Sequence, residues 1–141
     1  MNILIINGPN LNLLGKRDSN LYGKDTLDEL NAKLAKYATN LGANLSFYFS
    51  NCEGELITAM QQADCQAIIL NAGAYSHYSY AIRDCIEAIK VPVVEVHLSN
   101  ILAREEFRQK RVFQDVVVGF FCGEQINSYV KAIDFCLALK K

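Results

Sequence analysis

The segment Ile3-Leu4-Ile5-Ile6-Asn7-Gly8-Pro9-Asn10 decides the fold, because four apolar residues run directly into a turn of Asn, Gly and Pro. A short apolar run bounded by such a turn is typical of a strand that is buried on both faces. Similar runs return at residues 67–70 and 93–96. Segments with helical spacing lie between the runs, and this alternation predicts βαβ units on a parallel sheet.

The same pattern divides the whole chain into elements. The predicted strands cover residues 3–6, 45–49, 67–70, 93–96 and 116–120. The predicted helices cover residues 27–41, 53–63, 77–89, 103–108 and 126–139. Thr26, with Glu29 three residues later, is a capping-box signal for the first helix, and Gly42 predicts its end. These elements predict an α/β fold of the flavodoxin-like class, a three-layer sandwich with a five-stranded parallel sheet of order 2-1-3-4-5.

The composition places the chain among compact globular proteins. Its 141 residues are 51% apolar and 21% charged, and the formal net charge is −1. This length is typical of one domain, here residues 1–141. The 14 basic and 15 acidic residues form no block of like charge, which argues against nucleic acid or a membrane surface as a partner. No segment approaches the roughly 20 apolar residues of a membrane helix.

The five cysteines are widely spaced and never arranged as Cys-x-x-Cys. Their odd number and spacing argue against a disulfide framework and against a zinc ribbon. The pattern favours cysteines that serve as small buried apolar side chains in a reducing compartment. The N-terminus has neither the basic segment nor the cleavage site of a signal peptide, so we expect a cytoplasmic protein.

Polar residues follow three of the predicted strands at the edge where each strand ends. Asn10 follows the first strand, Asn71 the third, and His97 and Ser99 the fourth. In the order 2-1-3-4-5 these strand ends adjoin the point where the chain reverses direction across the sheet, so the side chains are predicted to converge on one crevice. The connection at residues 8–25 lies at the same edge and is longer than a usual βα loop.

His97 and the pair of Arg17 and Tyr22 indicate proton transfer. An imidazole ionises near neutral pH and suits proton transfer in either direction. A phenol is a poor base at neutral pH unless a nearby cation stabilises the phenolate, and Arg17 lies in the same loop as Tyr22. The alternatives for these residues, taken singly, are a structural histidine, a solvated arginine and a tyrosine that anchors the loop.

Three further residues leave two interpretations open. His77 is predicted at the start of a helix, either as a cap or turn residue or as a ligand contact. For Arg104 a salt-bridged helix face is favoured, and for Arg108 a substrate contact stays open. The chain has no phosphate loop, dinucleotide fingerprint or nucleophile elbow, and two histidines without an acidic cluster argue against a catalytic metal. The pattern indicates a proton-transfer site without a cofactor.

Several motifs in one order resemble type II 3-dehydroquinate dehydratase. The match runs from residue 2 to about residue 129. Its longest motifs are Ile6-Asn7-Gly8-Pro9-Asn10-Leu11-Asn12-Leu13-Leu14-Gly15, Asn71-Ala72-Gly73-Ala74-Tyr75-Ser76-His77 and Glu95-Val96-His97-Leu98-Ser99-Asn100, with Arg17, Leu21-Tyr22-Gly23 and Arg104-Glu105-Glu106-Phe107-Arg108 beside them. The resemblance implies conversion of 3-dehydroquinate to 3-dehydroshikimate in the shikimate pathway, by anti elimination through an enolate, with no cofactor and no metal.

The resemblance also implies the role of each catalytic residue. Tyr22 would be the base that removes the proton next to the ketone, and Arg17 would keep Tyr22 ionised. Asn10 would hold the water that hydrogen-bonds the enolate oxygen. His97 would protonate the departing hydroxyl, with Glu95 as its supporting partner.

The substrate contacts implied by the resemblance lie on the other strand ends. Asn71 and the backbone N–H groups of Leu98 and Ser99 would bind the substrate carboxylate. His77 and Arg108 would contact the ring hydroxyls.

The resemblance further implies a homo-oligomer, a dodecamer built from trimers. In such an assembly Asp84 would reach the substrate of a neighbouring subunit. A different class of function is a non-catalytic flavodoxin-like protein that binds a small carboxylate, and another is a flavin electron carrier. The presence of Arg17, Tyr22 and His97 together favours the enzyme, because a binding protein has no use for both a base and an acid.

The chain departs from the family pattern at a few positions. Cys52 stands where many members have histidine, and Ala72 replaces the more usual proline. Arg111 takes the place of a frequent serine, and residues 124–128 lack the glycines usual before Tyr129. We expect these changes to affect the local backbone and the packing of subunits rather than the chemistry.

Overall fold

A computed structural model describes residues 1–139 as a five-stranded parallel sheet with helices on both faces. The strands are β1 (Asn2–Asn7), β2 (Asn44–Phe49), β3 (Ala67–Asn71), β4 (Val93–His97) and β5 (Gly119–Cys122). The sheet has the order β2-β1-β3-β4-β5, and every neighbouring pair is parallel. The predicted fold class and strand order are therefore confirmed.

The helices form the outer layers. They are α1 (Ser19–Tyr22), α2 (Leu27–Asn40), α3 (Glu53–Gln61), α4 (Tyr80–Ala88), α5 (Glu106–Gln109) and α6 (Ile126–Leu139), with 3-10 turns at Leu11–Leu13, Gly73–His77 and Ile101–Ala103. One core cluster joins Leu34 of α2 and Ile133 of α6 to one face of the sheet. A second cluster joins Leu56 of α3 and Ile82 of α4 to the other face.

The burial of the strands follows from these two layers. All five residues of β3 and all five of β4 are buried, because helices cover both faces of the central strands. The edge strand β2 alternates between exposed and half-buried residues instead. The largely apolar runs that predict β1, β3 and β4, with Glu95 as the one charged residue in them, thus reflect the central positions of these strands.

Helix α2 begins as its sequence predicts. The Thr26 hydroxyl accepts a hydrogen bond from the Glu29 N–H, and the Glu29 carboxylate accepts one from the Thr26 N–H. Gly42 follows the end of the helix with a φ of +77°, a conformation that glycine adopts without steric penalty. The capping box is confirmed.

Three elements differ from their predicted bounds by more than two residues. The helix predicted at residues 77–89 begins at Tyr80, because the Ser79 hydroxyl caps it by accepting from the Ile82 N–H. The segment 103–108 is divided between the last 3-10 turn and α5. The fifth strand lies at Gly119–Cys122 rather than at residues 116–120, since the N–H groups of Val116 and Val117 close a turn on the Phe113 carbonyl.

All five cysteines are free thiols. Cys85 and Cys136 are buried, and burial raises the pKa of Cys136 to about 12. Cys52 is exposed, so the prediction of small buried side chains is wrong for this residue. Within residues 1–139, none of the helices has the length and apolar character needed to cross a membrane.

Candidate active site

One cavity at the carboxyl ends of β1, β3 and β4 collects most of the predicted site residues. It encloses about 550 Å³ when its open mouth is included, which suits a small molecule. Its lining contains nine of the predicted residues, namely Asn10, Arg17, Tyr22, Asn71, His77, His97, Leu98, Ser99 and Arg108. Two predicted residues do not line it: Glu95 lies behind His97, and Asp84 is exposed on α4.

The turns after β1 and β3 meet at Gly8. The Gly8 N–H donates to the Asn71 carbonyl at 2.7 Å. A Cβ atom at Gly8 would lie 2.9 Å from the carbonyl carbon of Ala72, so only glycine fits here. This close approach brings Asn10 and Asn71 to the same cavity, with Asn10 in the left-handed region at a φ of 71°.

Tyr22 contacts two arginines. The short helix α1 presents the tyrosine, with Asp18 capping its first turn and Gly23 ending it at a φ of +83°. The Arg17 guanidinium carbon lies 3.7 Å from the centre of the Tyr22 ring. Nη1 of Arg104 donates to the Tyr22 hydroxyl at 2.7 Å.

Arg104 is thus a site residue that the sequence analysis missed. Its Nη1 also donates to the Ser99 hydroxyl at 3.2 Å, and its side chain is 15% exposed. The predicted salt-bridged helix face is reduced to an Nε contact with Glu105 at 3.7 Å. The available signal was its position in the loop after β4, at the same edge of the sheet as His97.

His97 is held by a buried carboxylate. Its Nε2 lies 2.7 Å from Oε2 of Glu95, a side chain with no exposed surface. Burial acts to raise the pKa of Glu95, but the hydrogen bonds and charges of His97 and Arg111 outweigh it and hold that pKa below its usual range. Because Nε2 is engaged with a carboxylate, Nδ1 is the ring nitrogen left to serve the cavity.

His77 lies at the last residue of the second 3-10 turn and not at the start of α4. Its Nδ1 lies 2.8 Å from the Lys110 carbonyl, which can only accept, so Nδ1 carries the proton and Nε2 is an acceptor. Burial, together with the nearby His97 and Arg108, lowers the pKa of His77. The ring is therefore neutral at neutral pH, and it lines the cavity as the ligand-contact interpretation requires.

Asn71 is oriented by a buried tyrosine. Its Nδ2 donates to the Tyr129 hydroxyl at 2.8 Å, and its Oδ1 accepts from the Gly73 N–H at 3.2 Å. The same hydroxyl donates to Oδ1 of Asn7 at 2.5 Å. Burial raises the pKa of Tyr129, so the phenol remains a neutral link between the two asparagines.

The lining of the cavity is cationic. Arg17, Arg104 and Arg108 contribute to it, and within residues 1–139 none of the acidic side chains does. The part of the chain that the structure describes holds no cluster of three or more His, Cys, Asp and Glu side chains that could bind a metal ion. The arrangement can bind an anion, and besides the arginines it supplies three titratable groups, Tyr22, His77 and His97, to its interior.

Comparisons with known proteins agree with the resemblance in the sequence. The chain matches the family described as Dehydroquinase class II over residues 1–137. A 3-dehydroquinate dehydratase of Prochlorococcus marinus is 48% identical over 136 residues, which cover 95% of this chain and 94% of that protein. One from Bacillus licheniformis is 50% identical over 135 residues, which cover 94% of this chain and 93% of that protein.

Solved structures give the same result. The crystal structure of a type II dehydroquinase from Butyrivibrio crossotus superposes with a TM-score of 0.93 at 41% identity, covering 96% of this chain and 97% of that one. The fold, the motifs and the extent of these matches therefore lead to one assignment: the chain belongs to the class II dehydroquinase family.

Proposed function

We propose that this protein is a 3-dehydroquinate dehydratase, a hydro-lyase that converts 3-dehydroquinate to 3-dehydroshikimate in the shikimate pathway. One observation carries the proposal beyond the family match: the Tyr22 phenol contacts the guanidinium groups of both Arg17 and Arg104 in the same cavity as His97. A base beside cations and a separate acid are what the elimination of water next to a ketone requires.

The first step is proton abstraction by Tyr22. The phenolate takes the proton from the carbon next to the ketone, the C–H bond breaks, and its electron pair forms an enolate. A guanidinium close to a phenol oxygen favours the ionised form, and Arg104 donates directly to that oxygen at 2.7 Å. Asn10 holds the water that hydrogen-bonds the enolate oxygen.

The second step is loss of the hydroxyl with the help of His97. The enolate collapses to the conjugated enone, the C–O bond breaks, and His97 supplies the proton with which the hydroxyl leaves as water. Glu95 supports this acid through its 2.7 Å contact with Nε2. Base and acid act from opposite faces of the ring, so the elimination is anti.

The remaining cavity residues hold the substrate. Asn71 and the backbone N–H groups of Leu98 and Ser99 bind its carboxylate, and the fixed orientation of the Asn71 amide supports this role. His77 and Arg108 contact the ring hydroxyls. A non-catalytic carboxylate-binding protein is not favoured, because such a protein would not need a tyrosine in contact with two arginines.

We further propose a homododecamer built from trimers, in which Asp84 completes the cavity of a neighbouring subunit. The exposed position of Asp84 on α4, away from the cavity of its own chain, supports this arrangement. We also propose that residues 1–141 form a single catalytic domain that works in the cytoplasm, in line with its five free thiols.

The test is addition of 3-dehydroquinate to the purified protein while the ultraviolet absorbance of the enone product is followed. We expect a steady rise for the wild type. Tyr22→Phe removes the base, so turnover should fall by roughly 10²- to 10⁴-fold, with substrate binding still measurable by calorimetry.

Tyr37→Phe is the matched control. Tyr37 lies on α2 and donates to Asp134 at 2.6 Å, and neither residue lines the cavity. This variant should turn over substrate like the wild type. No absorbance rise from folded wild-type protein would disprove the function, and near-normal turnover by Tyr22→Phe would remove Tyr22 from the role of base.

A further inference from the structure

Arg111 binds the buried carboxylate behind His97, although it does not line the cavity. Its Nε and Nη2 both donate to Oε1 of Glu95, at 3.0 and 2.8 Å. The other oxygen, Oε2, faces Nε2 of His97 at 2.7 Å. Each oxygen of the carboxylate therefore has its own partner. The three side chains form a hydrogen-bonded series, Arg111–Glu95–His97, that ends at the proposed acid.

Phe120 of β5 packs against both ends of this hydrogen-bonded series. The Arg111 guanidinium carbon lies 3.5 Å from the centre of the Phe120 ring, and the His97 ring meets the same ring edge-on at 6.1 Å between centres. Phe120 is also the register partner of Glu95 in the sheet. The Arg111 side chain is only 11% exposed and that of Glu95 is fully buried, so little water competes for Glu95.

We propose that Arg111 is a positioning residue for proton donation by His97: it orients Glu95 and takes up part of its negative charge. The proposal rests on the proposed role of His97 as the acid. A carboxylate shared between two donors holds the His97 ring in place without binding its proton as tightly as an unshared carboxylate would. Arg111 thus keeps His97 oriented and makes its proton easier to transfer to the departing hydroxyl.

The groups around His97 decide in which direction the loss of Arg111 shifts the protonation of the His97 ring. Glu95 is on the same strand, His77 stacks on the ring at 6.2 Å between centres, and Cys122 is its register partner in β5. The other charged or titratable groups share its cavity, namely Arg17, Tyr22, Arg104 and Arg108. Removing Arg111 takes away a cation and leaves Glu95 to His97 alone, and both changes favour the protonated ring.

The residues on either side of Arg111 also hydrogen-bond to the segment that carries His77. The Lys110 carbonyl accepts from His77, and the Val112 N–H donates to the Ser76 carbonyl at 2.9 Å. A merely structural role for Arg111 would be to anchor this segment and, through it, His77. That role predicts weaker substrate binding, whereas positioning of the acid predicts slower turnover.

Nuclear magnetic resonance of the histidine rings tests the contact without any substrate. The chain has two histidines, so both ring signals can be assigned with one His77→Gln variant. In Arg111→Ser we expect the midpoint of the His97 titration to rise by about half a pH unit or more relative to the wild type. Arg83→Ser removes another arginine that pairs with carboxylates, those of Glu87 and Asp115, and should leave the midpoint unchanged.

Steady-state kinetics tests the consequence for the reaction. Arg111→Ser should lower kcat by roughly tenfold with KM within about twofold, and move the alkaline limb of kcat to higher pH. Arg111→Lys keeps the charge but loses the fork of two N–H groups, so it should recover only part of kcat. In a Glu95→Gln background, Arg111→Ser should lower kcat by less than about twofold further.

Three results would overturn the proposal: an unchanged His97 midpoint in Arg111→Ser, a rise in KM without a fall in kcat, or an equal loss in the Glu95→Gln background. If Arg111→Ser does not fold, Arg111→Gln, which also removes the charge, takes its place in the midpoint and kinetic comparisons. A wild type that folds but does not act on 3-dehydroquinate would disprove the proposed function, and the titration midpoints would still decide whether Arg111 acts on His97 through Glu95.

Discussion

His77 and Glu95 are buried side chains whose pKa values are lowered in the folded protein, and each links stability to pH. For His77, burial and the neighbouring His97 and Arg108 put the folded pKa below the ordinary 6.5. For Glu95, the partners His97 and Arg111 outweigh burial and put the folded pKa below the ordinary 4.5. The unfolded chain therefore binds more protons than the folded one in acid, and stability present at neutral pH is lost as the pH falls.

The free energy of unfolding should fall in two stages, first below about pH 6.5 and again below about pH 4.5. His77→Asn keeps a donor for the Lys110 carbonyl but cannot titrate. We expect this variant to reduce the slope of the first stage by up to about 1.4 kcal/mol per pH unit, the effect of one proton. Urea unfolding at a series of pH values measures the slope, and equal slopes for both proteins would contradict the assignment to His77.

The residues that sequence reasoning found and those it missed differ in how far their contacts reach along the chain. Tyr22 and Arg17 share one loop, so their pairing is visible in the sequence. Arg104 acts on Tyr22 across 82 positions, and Tyr129 acts on Asn71 across 58. Such contacts exist only once the sheet has brought the strand ends together, so no local sequence pattern predicts them.

At the scale of elements, the junction between the turns after β1 and β3 requires a residue without a side chain, Gly8. A Cβ at Gly8 would meet backbone atoms of Ala72 at 2.9 Å, and backbone cannot rotate away as a flexible side chain can. We expect Gly8→Ala to destabilise the protein by about 1–3 kcal/mol. Because the junction also sets the separation of Asn10 and Asn71, kcat/KM should fall as well.

Gly54→Ala is the control for this change. Gly54 is exposed on α3, and a Cβ there would meet nothing within 4 Å. Alanine should raise stability there by about 0.5 kcal/mol, because it restricts the unfolded chain and favours the helix. Thermal unfolding of both variants measures the difference, and a Gly8→Ala protein as stable as the wild type would show that the turns can separate freely.

The elements that were predicted well carry their own signals. Helix α2 has a capping box at one end and glycine after the other, and β3 is a pure apolar run. The errors fall where tertiary contacts choose between similar local structures. His77 ends a 3-10 turn instead of starting α4, and the fifth strand begins three residues later than predicted because of the turn on Phe113.

At the scale of the whole molecule, the proposed assembly makes Asp84 of one chain serve the cavity of another. Coexpression of Asp84→Ala with Tyr22→Phe tests this by complementation. In a mixed oligomer, a subunit with intact Tyr22 can receive Asp84 from a Tyr22→Phe neighbour, so activity should exceed that of either variant alone. Light scattering should give a mass twelve times the 15.8 kDa of one chain.

If Asp84 served its own chain, no mixture could combine an intact Tyr22 with an intact Asp84, and coexpression would bring no gain. Coexpression of Asp84→Ala with Gly54→Ala, whose changed residue is exposed and apart from the cavity, is the control. It gives the activity expected when active subunits are simply diluted by inactive ones. The strand order could be predicted because the alternation of strands with helices marks a doubly wound fold in the sequence. A subunit boundary leaves no comparable mark, since exposed residues of α4 look alike whether or not a neighbour covers them.

The cationic cavity has a practical consequence for work with this protein. Three arginines and no acidic side chain line the cavity within residues 1–139, in a chain whose net charge is −1. Phosphate, sulfate and citrate ions will compete for this lining, so activity measured in such buffers will understate that measured in chloride at the same pH. The same lining selects for inhibitors that carry a carboxylate and penalises cationic compounds.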